Sequence, residues 1–202
     1  MMKYYCIKQH DITDCGAACL ATICRQNGYK IGISKIREVA GTDKQGTNAY
    51  GVIKAAEQLG FSAKGVKGDK EAFFSEFPLP CIAHVIVDGA LLHYVVIHKI
   101  TKNTVVIADP GEGIVKLTPE EVFGEVHEEG KPPKYQWSGI LILLVKNETF
   151  EKKDETKGIF SRFFHLLMPQ KKLIFQIFLA SLIYTVLGIL AAFYFQILID
   201  SV

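Results

Sequence analysis

The chain has 202 residues, a net charge of +2 and 49% apolar residues. So balanced a charge excludes the strongly basic surfaces with which proteins bind nucleic acid. The 5 cysteines are an odd number and are scattered along the chain. This excludes the disulfide framework of a small secreted domain and indicates a reducing compartment. No signal peptide is expected in the short polar stretch from Met1 to His10.

Helical patterns dominate the first 60 residues, and strand patterns follow them. Apolar spacing and glycine stops predict helices at Asp14–Asn27, Ser34–Val39, Thr47–Leu59 and, briefly, Lys70–Glu76. Alternating and β-branched runs predict strands at Ser62–Val66, Cys81–Val87, Ala90–Ile100, Thr104–Asp109, Ile114–Leu117 and Gly139–Val145, with a short helix at Pro119–Val126. Helices first and an antiparallel sheet second predict the α+β fold class.

Cys15 lies in the first turn of the first predicted helix. Thr13 and Asp14 are residue types that favour a helix N-cap, and an Ala-rich run follows Cys15. Free backbone N–H groups and the helix dipole favour a thiolate at such a position, and a protonated histidine nearby adds to the effect. Because the thiolate is the nucleophilic form of cysteine, Cys15 is the candidate nucleophile.

His93 and Asp109 lie on two predicted strands that are joined by a short polar turn, the pattern of an antiparallel hairpin. A three-residue loop at 101–103 places both side chains on one face, where Asp109 can hold the imidazole by a ring N–H. A two-residue loop at 102–103 places them on opposite faces unless a bulge restores the phase. The hairpin register therefore tests whether His93 is a general base oriented by Asp109.

The other histidines and cysteines have simpler interpretations. His84 and His98 alternate along apolar strands and are expected to be core or surface residues whose hydrogen bonds are satisfied. His10, His127 and His165 lie in polar or interfacial surroundings. The spacing of Cys15, Cys19 and Cys24 lacks the paired C-x-x-C and histidine clusters of a zinc site, so no metal site is predicted. Cys19 and Cys24 are expected to be small core residues.

The C-terminal part differs in composition. Residues 147–157 are expected to form a charged linker, and residues 158–169 an amphipathic helix on a membrane surface. Residues 173–199 carry no charge, and a helix of about 27 residues spans about 40 Å, more than a hydrocarbon core of about 30 Å. We predict a transmembrane helix there, since a buried core helix seldom lacks charge on every face. The basic residues before it place residues 1–146 in the cytoplasm: Arg162, Lys171 and Lys172.

Several of these motifs together resemble the bacteriocin-processing cysteine peptidase domain found at the N-terminus of peptidase-containing ABC transporters. The segments that carry the resemblance are Gln9, Asp14 to Leu20, Gly41-Thr42-Asp43, Gly46-Thr47-Asn48-Ala49, Leu92 to Val96 and Ala108-Asp109-Pro110. It covers residues 1–146, and the apolar tail fits the place where such a transporter's first membrane helix begins. The resemblance implies a papain-like fold, in a homodimeric, multi-pass transporter of the bacterial cell membrane.

The resemblance also implies roles and a substrate. Cys15 is the implied nucleophile, His93 the general base and Asp109 its orienter, while Gln9 is the side-chain oxyanion donor. Family members cut precursor peptides after a Gly-Gly pair that ends an amphipathic leader helix, and then export the mature peptide. Such a helix binds in an apolar groove. The candidate groove residues, each of which can equally be core, are Ala49, Tyr50, Val52 and Phe61.

More than one function remains open on these residues. An active thiol peptidase removes the leader, a docking module only binds it, and an acyltransferase or amidase uses the same side chains on another substrate. Retention of Cys15, His93 and Asp109 favours the peptidase. The chain has no G-x-x-x-x-G-K-[ST] motif, so no cofactor is expected in it, and ATP and Mg²⁺ are expected only in a nucleotide-binding domain outside it. The chain is then a fragment of a longer transporter or a truncated product.

Overall fold

The computed structural model describes residues 3–44, 46–127, 130–156 and 168–200. The chain divides into two compact units, Met1–Thr156 and Lys157–Val202. The helices of the first unit are α1 (Cys15–Gln26), α2 (Ile33–Ala40), α3 (Ala49–Gln58), α4 (Lys70–Phe73) and α5 (Pro119–Phe123). Its strands are β1 (Phe61–Lys67), β2 (Cys81–Val87), β3 (Leu91–Ile100), β4 (Val105–Asp109), β5 (Gly113–Leu117) and β6 (Tyr135–Lys146).

The six strands form one antiparallel sheet in the order β1-β6-β2-β3-β4-β5. Helices α1 to α3 contribute to the core on one face of it, together with the sheet residues Ile82, Val96 and Ile142. The alternate residues Ala83, Val95 and Ile107 point to the other face, where α4 and α5 contribute Phe73 and Val122. Side-chain alternation along each strand thus supplies both halves of the core. The predicted α+β fold class is confirmed.

The hairpin of β3 and β4 has the two-residue loop, the second of the two alternatives that the sequence left open. Thr101 donates its backbone N–H to the Thr104 carbonyl at 2.9 Å, so the turn is the two-residue one. Ile100 faces Val105, but Ile97 faces Ile107, and the register shifts between Ile97 and Lys99. A bulge at His98 thus restores the phase that the short turn would have lost.

Residues 147–156 belong to the first unit, so this part of the charged linker predicted at 147–157 is packed within a compact unit. The Phe150 ring lies 4.8 Å from Phe61 and 6.3 Å from Tyr29 between ring centroids. The charges that suggested a linker have partners, since Lys30 binds Asp154 at 2.7 Å and the Tyr29 hydroxyl donates to Glu155 at 2.8 Å. The compact unit therefore ends at Thr156 rather than at residue 146.

We expect Phe150→Ala to destabilise the first unit by about 2 kcal/mol, because a half-buried ring loses its contacts with Phe61 and Tyr29. Glu148→Ala is the matched control, since Glu148 lies two residues away and its side chain is exposed. Thermal unfolding of the 202-residue chain in detergent, followed by the fluorescence of its single tryptophan Trp137, measures both. Equal Tm values for the two variants would show that residues 147–156 do not belong to the folded unit.

The second unit contains one long helix, α6 (Lys171–Asp200), preceded by a short 3-10 helix at Met168–Gln170. The segment Met168–Asp200 is long and apolar enough to cross a membrane, and none of its described side chains is buried in protein. It contains residues 173–199, for which a transmembrane helix is predicted. The predicted amphipathic helix at 158–169 lies outside the described residues, apart from Met168 and Pro169.

Candidate active site

Cys15 is the first residue of α1, as predicted, and follows a 3-10 turn at Ile12–Asp14. Its side chain is 7% exposed, so one edge of the thiol remains accessible in an otherwise buried helix. Gly16 fits next to it because a Cβ at that position would lie 3.1 Å from Thr47 and Val52 atoms. The first turn of α1 is therefore held tightly against the loop that precedes α3.

Asp14 is the N-cap residue of α1, the position that its residue type favours, but its side chain makes no capping hydrogen bond to the helix. Its carboxylate is almost fully buried and forms an ion pair with Arg37 of α2 at 2.6 Å, while its other oxygen accepts the Asp11 backbone N–H at 3.2 Å. Because Asp14 adjoins the thiol, an unpaired carboxylate there would oppose a thiolate electrostatically. Arg37 offsets that charge.

His93 connects Cys15 with Asp109. Its Nε2 atom lies 3.0 Å from Asp109 Oδ1, and Cys15 is near enough to contribute to the raised pKa of His93. With Nε2 engaged by the carboxylate, Nδ1 is the ring nitrogen that remains for the thiol. His93 and Asp109 share one face of the hairpin, which the two-residue loop allows because of the bulge.

Asp109 is held by more donors than the sequence suggested. Oδ1 also accepts the Gly111 backbone N–H at 2.7 Å, and Oδ2 accepts the Tyr135 hydroxyl at 2.7 Å. Hydrogen bonds thus link His93, Asp109 and Tyr135 in series, and all three side chains are buried. Sequence reasoning missed Tyr135, because 26 residues separate it from Asp109 and no local pattern brings the start of β6 to the end of β4.

These contacts shift the pKa values of the pair in opposite directions. Burial acts to lower the pKa of His93, but the hydrogen bonds with Asp109 and Cys15 outweigh it and raise that pKa to about 9. Burial acts to raise the pKa of Asp109, but the bonds from His93 and Tyr135 prevail and lower it to about 2. The pair is an imidazolium and a carboxylate at neutral pH.

Gln9 lies on an extended segment that runs beside α1. Ile7 donates its backbone N–H to Thr22 Oγ1 at 2.9 Å, and Gln9 donates its own to the Pro110 carbonyl at 3.0 Å. The Gln9 backbone is thus fixed next to the residue that follows Asp109. Its side-chain Oε1 is buried and has no hydrogen-bond partner among the described residues. The backbone of Gln9 is thus held in place, while its side-chain oxygen makes no hydrogen bond to a described residue.

A cleft of about 330 Å³ opens beside Cys15. One wall is the loop before α3, with Asp43 and Gly46–Ala49, and the other is formed by β2 and β3 with His84, Leu92 and Tyr94. Ile12 and Leu92 are exposed apolar residues at this cleft, 60% and 65% exposed. A peptide in this cleft would therefore contact both polar and apolar side chains next to the thiol.

Only one of the four candidate groove residues lines this cleft, namely Ala49. Val52 and Phe61 are each 1% exposed core residues, so they have no surface to offer a peptide and their proposed groove role is corrected. Tyr50 is 68% exposed but lies outside the cleft lining. The residues that sequence reasoning missed are Ile12, Leu92, Tyr94 and His84, which become neighbours only when β2, β3 and α1 pack together.

Comparison with known proteins agrees with this geometry. Residues 3–149 match the peptidase C39 family. The chain belongs to that family. Within the residues that the structure describes, no group of three or more His, Cys, Asp or Glu side chains is placed to hold a metal ion, and the lack of a metal requirement in this C39 peptidase stays a prediction.

The chain is 36% identical over 197 residues to the lactococcin-G-processing and transport ATP-binding protein LagD of Lactococcus lactis subsp. lactis. The matched region is 97% of this chain and 25% of LagD. It is 35% identical over 196 residues to the transport/processing ATP-binding protein ComA of Streptococcus pneumoniae (strain ATCC BAA-255 / R6), covering 96% of this chain and 26% of ComA. The chain thus spans about a quarter of the length of these relatives.

Solved structures of C39 peptidase domains have the same fold. The peptidase domain of Streptococcus ComA matches with a TM-score of 0.62 and 31% identity, covering 72% of this chain and 100% of that domain. A double glycine motif protease from an AMS/PCAT transporter, in complex with the leader peptide, matches with a TM-score of 0.61 and 28% identity, covering 72% of this chain and 94% of that one. The papain-like α+β fold expected from the resemblance is confirmed.

The raised pKa of His93 makes a prediction about the pH dependence of the peptidase. Above pH about 9 the imidazolium loses its proton, so kcat/KM should fall along an alkaline limb near that pH. The same raised pKa adds stability that is full below pH 6.5 and is lost as the pH rises through about 9. Initial rates from neutral pH upward, at subsaturating peptide, locate the limb. A limb near pH 6.5, the ordinary pKa of histidine, would contradict the pairing of His93 with Asp109.

Proposed function

We propose that this chain is a cysteine endopeptidase that cuts a precursor peptide after a Gly-Gly pair, with Cys15, His93 and Asp109 as its catalytic triad. The observation that carries the proposal is the position of His93, which hydrogen-bonds Asp109 and lies near enough to Cys15 for the thiol to act on its pKa, while Cys15 lines an open cleft. The order of nucleophile, base and carboxylate is the one that thiol peptidases need.

The chemistry follows from these contacts. The Cys15 thiolate attacks the carbonyl carbon of the second glycine, and the carbonyl oxygen becomes an oxyanion. When the C–N bond breaks, the His93 imidazolium gives its proton to the leaving amine, and a thioester remains on Cys15. Water then attacks the thioester while His93 takes a proton from it, which releases the carboxylate of the leader and restores the thiolate. Asp109 keeps the ring in one orientation throughout.

Gln9 is the proposed side-chain donor to the oxyanion, together with the backbone N–H of Cys15. Support comes from its fixed backbone next to Pro110 and from its side-chain oxygen, which has no partner among the described residues. An amide that is held in place but unpaired loses little when it turns to a developing charge. Losing one such donor costs about 2.7 to 4 kcal/mol of transition-state stabilisation.

Support for the Gly-Gly specificity comes from the residues beside Cys15 and from the relatives. Tyr94 and Leu92 border the cleft from β3, and a residue without a side chain lets the scissile carbonyl come closest to the thiol. A similar structure is described as a double glycine motif protease in complex with the leader peptide. We infer that this chain also takes a leader peptide, whose apolar residues meet Ile12, Ala49 and Leu92.

We expect replacement of the second glycine of the pair by valine to lower kcat/KM at least about 100-fold, since a displacement of about 1 Å at the scissile carbonyl has that effect. Replacing a glycine outside the pair by valine is the matched control and should change little. Cleavage of both peptides by the 202-residue chain in detergent, resolved by mass spectrometry, tests the proposal. Equal cleavage at a Gly-Val site would refute the Gly-Gly assignment. Tight binding without any cleavage would instead favour a docking module.

We further propose that the peptidase works as part of a membrane-bound peptide exporter. LagD and ComA are described as processing and transport ATP-binding proteins, and the helix α6 of this chain is long and apolar enough to cross a bilayer. Lys171 and Lys172 at its start support a cytoplasmic position of the peptidase in this proposal. Homodimerisation, ATP and Mg²⁺ belong to this proposal through the rest of such a transporter. Nucleic acid does not, since the net charge is only +2.

A further inference from the structure

His84 lines the cleft but has no part in the mechanism above. It lies on β2 directly opposite Tyr94 of β3, and the two rings meet edge to face with centroids 5.2 Å apart. Both rings border the same cleft as Cys15. The sequence pattern predicts a histidine whose hydrogen bonds are satisfied within the protein. The structure satisfies only one of its two ring nitrogens.

A bulge in β6 supplies the partner of that nitrogen. His84 faces Ile140, but the next residue of β2, Val85, faces Trp137, so β6 has two extra residues, Ser138 and Gly139. Gly139 has a φ of +85°, and a Cβ there would lie 3.0 Å from the Gly68 carbonyl oxygen, which favours glycine. The bulge places Ser138 Oγ 2.8 Å from His84 Nδ1 and 3.0 Å from the His84 backbone carbonyl oxygen.

These two contacts determine which nitrogen of His84 carries the proton. The Ser138 hydroxyl has one proton and donates it to the His84 carbonyl. Its contact with Nδ1 is therefore a bond in which Nδ1–H donates and Ser138 Oγ accepts. A neutral imidazole has only one N–H, which leaves Nε2 as an acceptor with a free lone pair. None of the described residues hydrogen-bonds this atom.

The neighbours of His84 keep it neutral. Burial lowers its pKa, and the positive charge of His93 lowers it further. His93 itself holds its proton through Asp109 and Cys15. The cleft thus contains one charged and one neutral imidazole. The neutral one offers a hydrogen-bond acceptor next to the nucleophile.

A peptide entering the cleft brings donors that need such an acceptor. Glycines have no side chains, so their polar groups are the backbone N–H and C=O, and a buried N–H without a partner is costly. On the opposite wall, Asn48 Oδ1 already accepts the Gly51 N–H at 2.8 Å, and the Thr47 hydroxyl is bonded to the Thr42 hydroxyl at 2.6 Å. His84 Nε2 is available.

We propose that His84 is a substrate-positioning residue whose Nε2 accepts a hydrogen bond from a backbone N–H of the Gly-Gly pair. This inference rests on the proposed function and adds the residue that aligns the pair before Cys15. It also assigns a purpose to the Ser138-Gly139 bulge, which fixes the tautomer that leaves Nε2 unprotonated. His84 thereby acts on binding and alignment, while proton transfer stays with His93.

The test combines two variants with two substrates. His84→Asn keeps an amide N–H near the position of Nδ1 and removes the acceptor at Nε2, whereas His84→Gln can keep an acceptor near Nε2. The substrates are the leader precursor and two esters of it, in which glycolic acid replaces either glycine so that one backbone N–H becomes an ester oxygen. Cleavage at the scissile amide by the 202-residue chain in detergent is followed by mass spectrometry.

In the unsubstituted chain one of the two esters should lower kcat/KM about tenfold, the effect of one hydrogen bond. His84→Asn should cause the same loss with the amide substrate and no further loss with that ester, because both changes remove the same bond. His84→Gln should recover part of the activity. The rate at which iodoacetamide alkylates Cys15 should be the same in both variants as in the unsubstituted chain.

The inference is overturned if His84→Asn cleaves the amide substrate normally, or if the ester penalty persists in that variant. A changed alkylation rate would also overturn it, since His84 would then act through the thiol. These outcomes differ from failure of the proposed function, in which the unsubstituted chain does not cleave the Gly-Gly precursor at all and the inference falls with it.

Discussion

We expect Cys15→Ala to abolish cleavage of a Gly-Gly leader precursor, with a loss in kcat/KM of at least about 10⁴-fold. The thiol forms the covalent intermediate, and no neighbouring group replaces it. Binding of the leader should be almost unchanged, because the side chain is only 7% exposed and contributes little to the cleft walls. Product formation by chromatography and binding by fluorescence anisotropy of a labelled leader measure the two effects separately.

Cys24→Ala is the matched control for this variant. Cys24 lies on the same helix, is fully buried and belongs to the core, so its loss should affect stability rather than cleavage. If Cys15→Ala retained substantial turnover, another residue would be the nucleophile. If it lost leader binding as well, Cys15 would be needed for the shape of the cleft, and the cleavage result would say nothing about chemistry.

Asp109→Asn should lower kcat/KM by about 10² to 10⁴-fold and move the alkaline limb from about pH 9 towards lower pH. The neutral amide no longer stabilises the imidazolium, and it can present only one acceptor oxygen to His93, Gly111 and Tyr135. Tyr135→Phe should cause a much smaller loss, because Asp109 keeps its charge and its other two donors. Rates across the pH range for both variants measure the effects.

Asp88→Asn is the control for Asp109→Asn. Asp88 is an exposed residue in the β2–β3 turn with a φ of +48°, a conformation that asparagine also accepts. The Asp88→Asn substitution should leave both kcat/KM and the pH of the alkaline limb unchanged. A full rate in Asp109→Asn would show that the carboxylate does not orient the base. An unmoved limb would show that His93 does not owe its pKa to Asp109.

The hairpin shows how far local sequence can go. Strand propensity and the polar turn predict both strands, and either a three-residue loop or a two-residue loop with a bulge brings His93 and Asp109 to one face. The sequence does not decide between these two loops, because the bulge at His98 depends on remote contacts. The His98 ring donates to the Tyr5 carbonyl at 2.9 Å and stacks on Tyr4 with centroids 5.0 Å apart. No pattern within β3 and β4 contains those partners.

The predicted groove residues Val52 and Phe61 and the predicted domain boundary differ from the structure for a related reason. An apolar residue such as Phe61 has the same sequence signature whether it lines a groove or fills the core, and only packing distinguishes the two. Likewise the charges of residues 147–156 suggested a solvated linker, but Lys30 and Tyr29 lie where they can bind Asp154 and Glu155. Partners more than a hundred residues apart in the chain are invisible to a local reading.

The most direct test of the central claim is to label the chain with a leader peptide whose terminal Gly-Gly carries a chloromethyl ketone. Such a reagent reacts fast when the glycine pair is bound with its chloromethyl carbon next to a thiolate, which forms a C–S bond there and displaces chloride. Digestion and mass spectrometry should find one adduct per chain, on Cys15 and on none of the other four of the 5 cysteines. A Gly-Val chloromethyl ketone of the same leader should react far more slowly. An adduct on another cysteine, or equal labelling by the two reagents, would contradict the proposal.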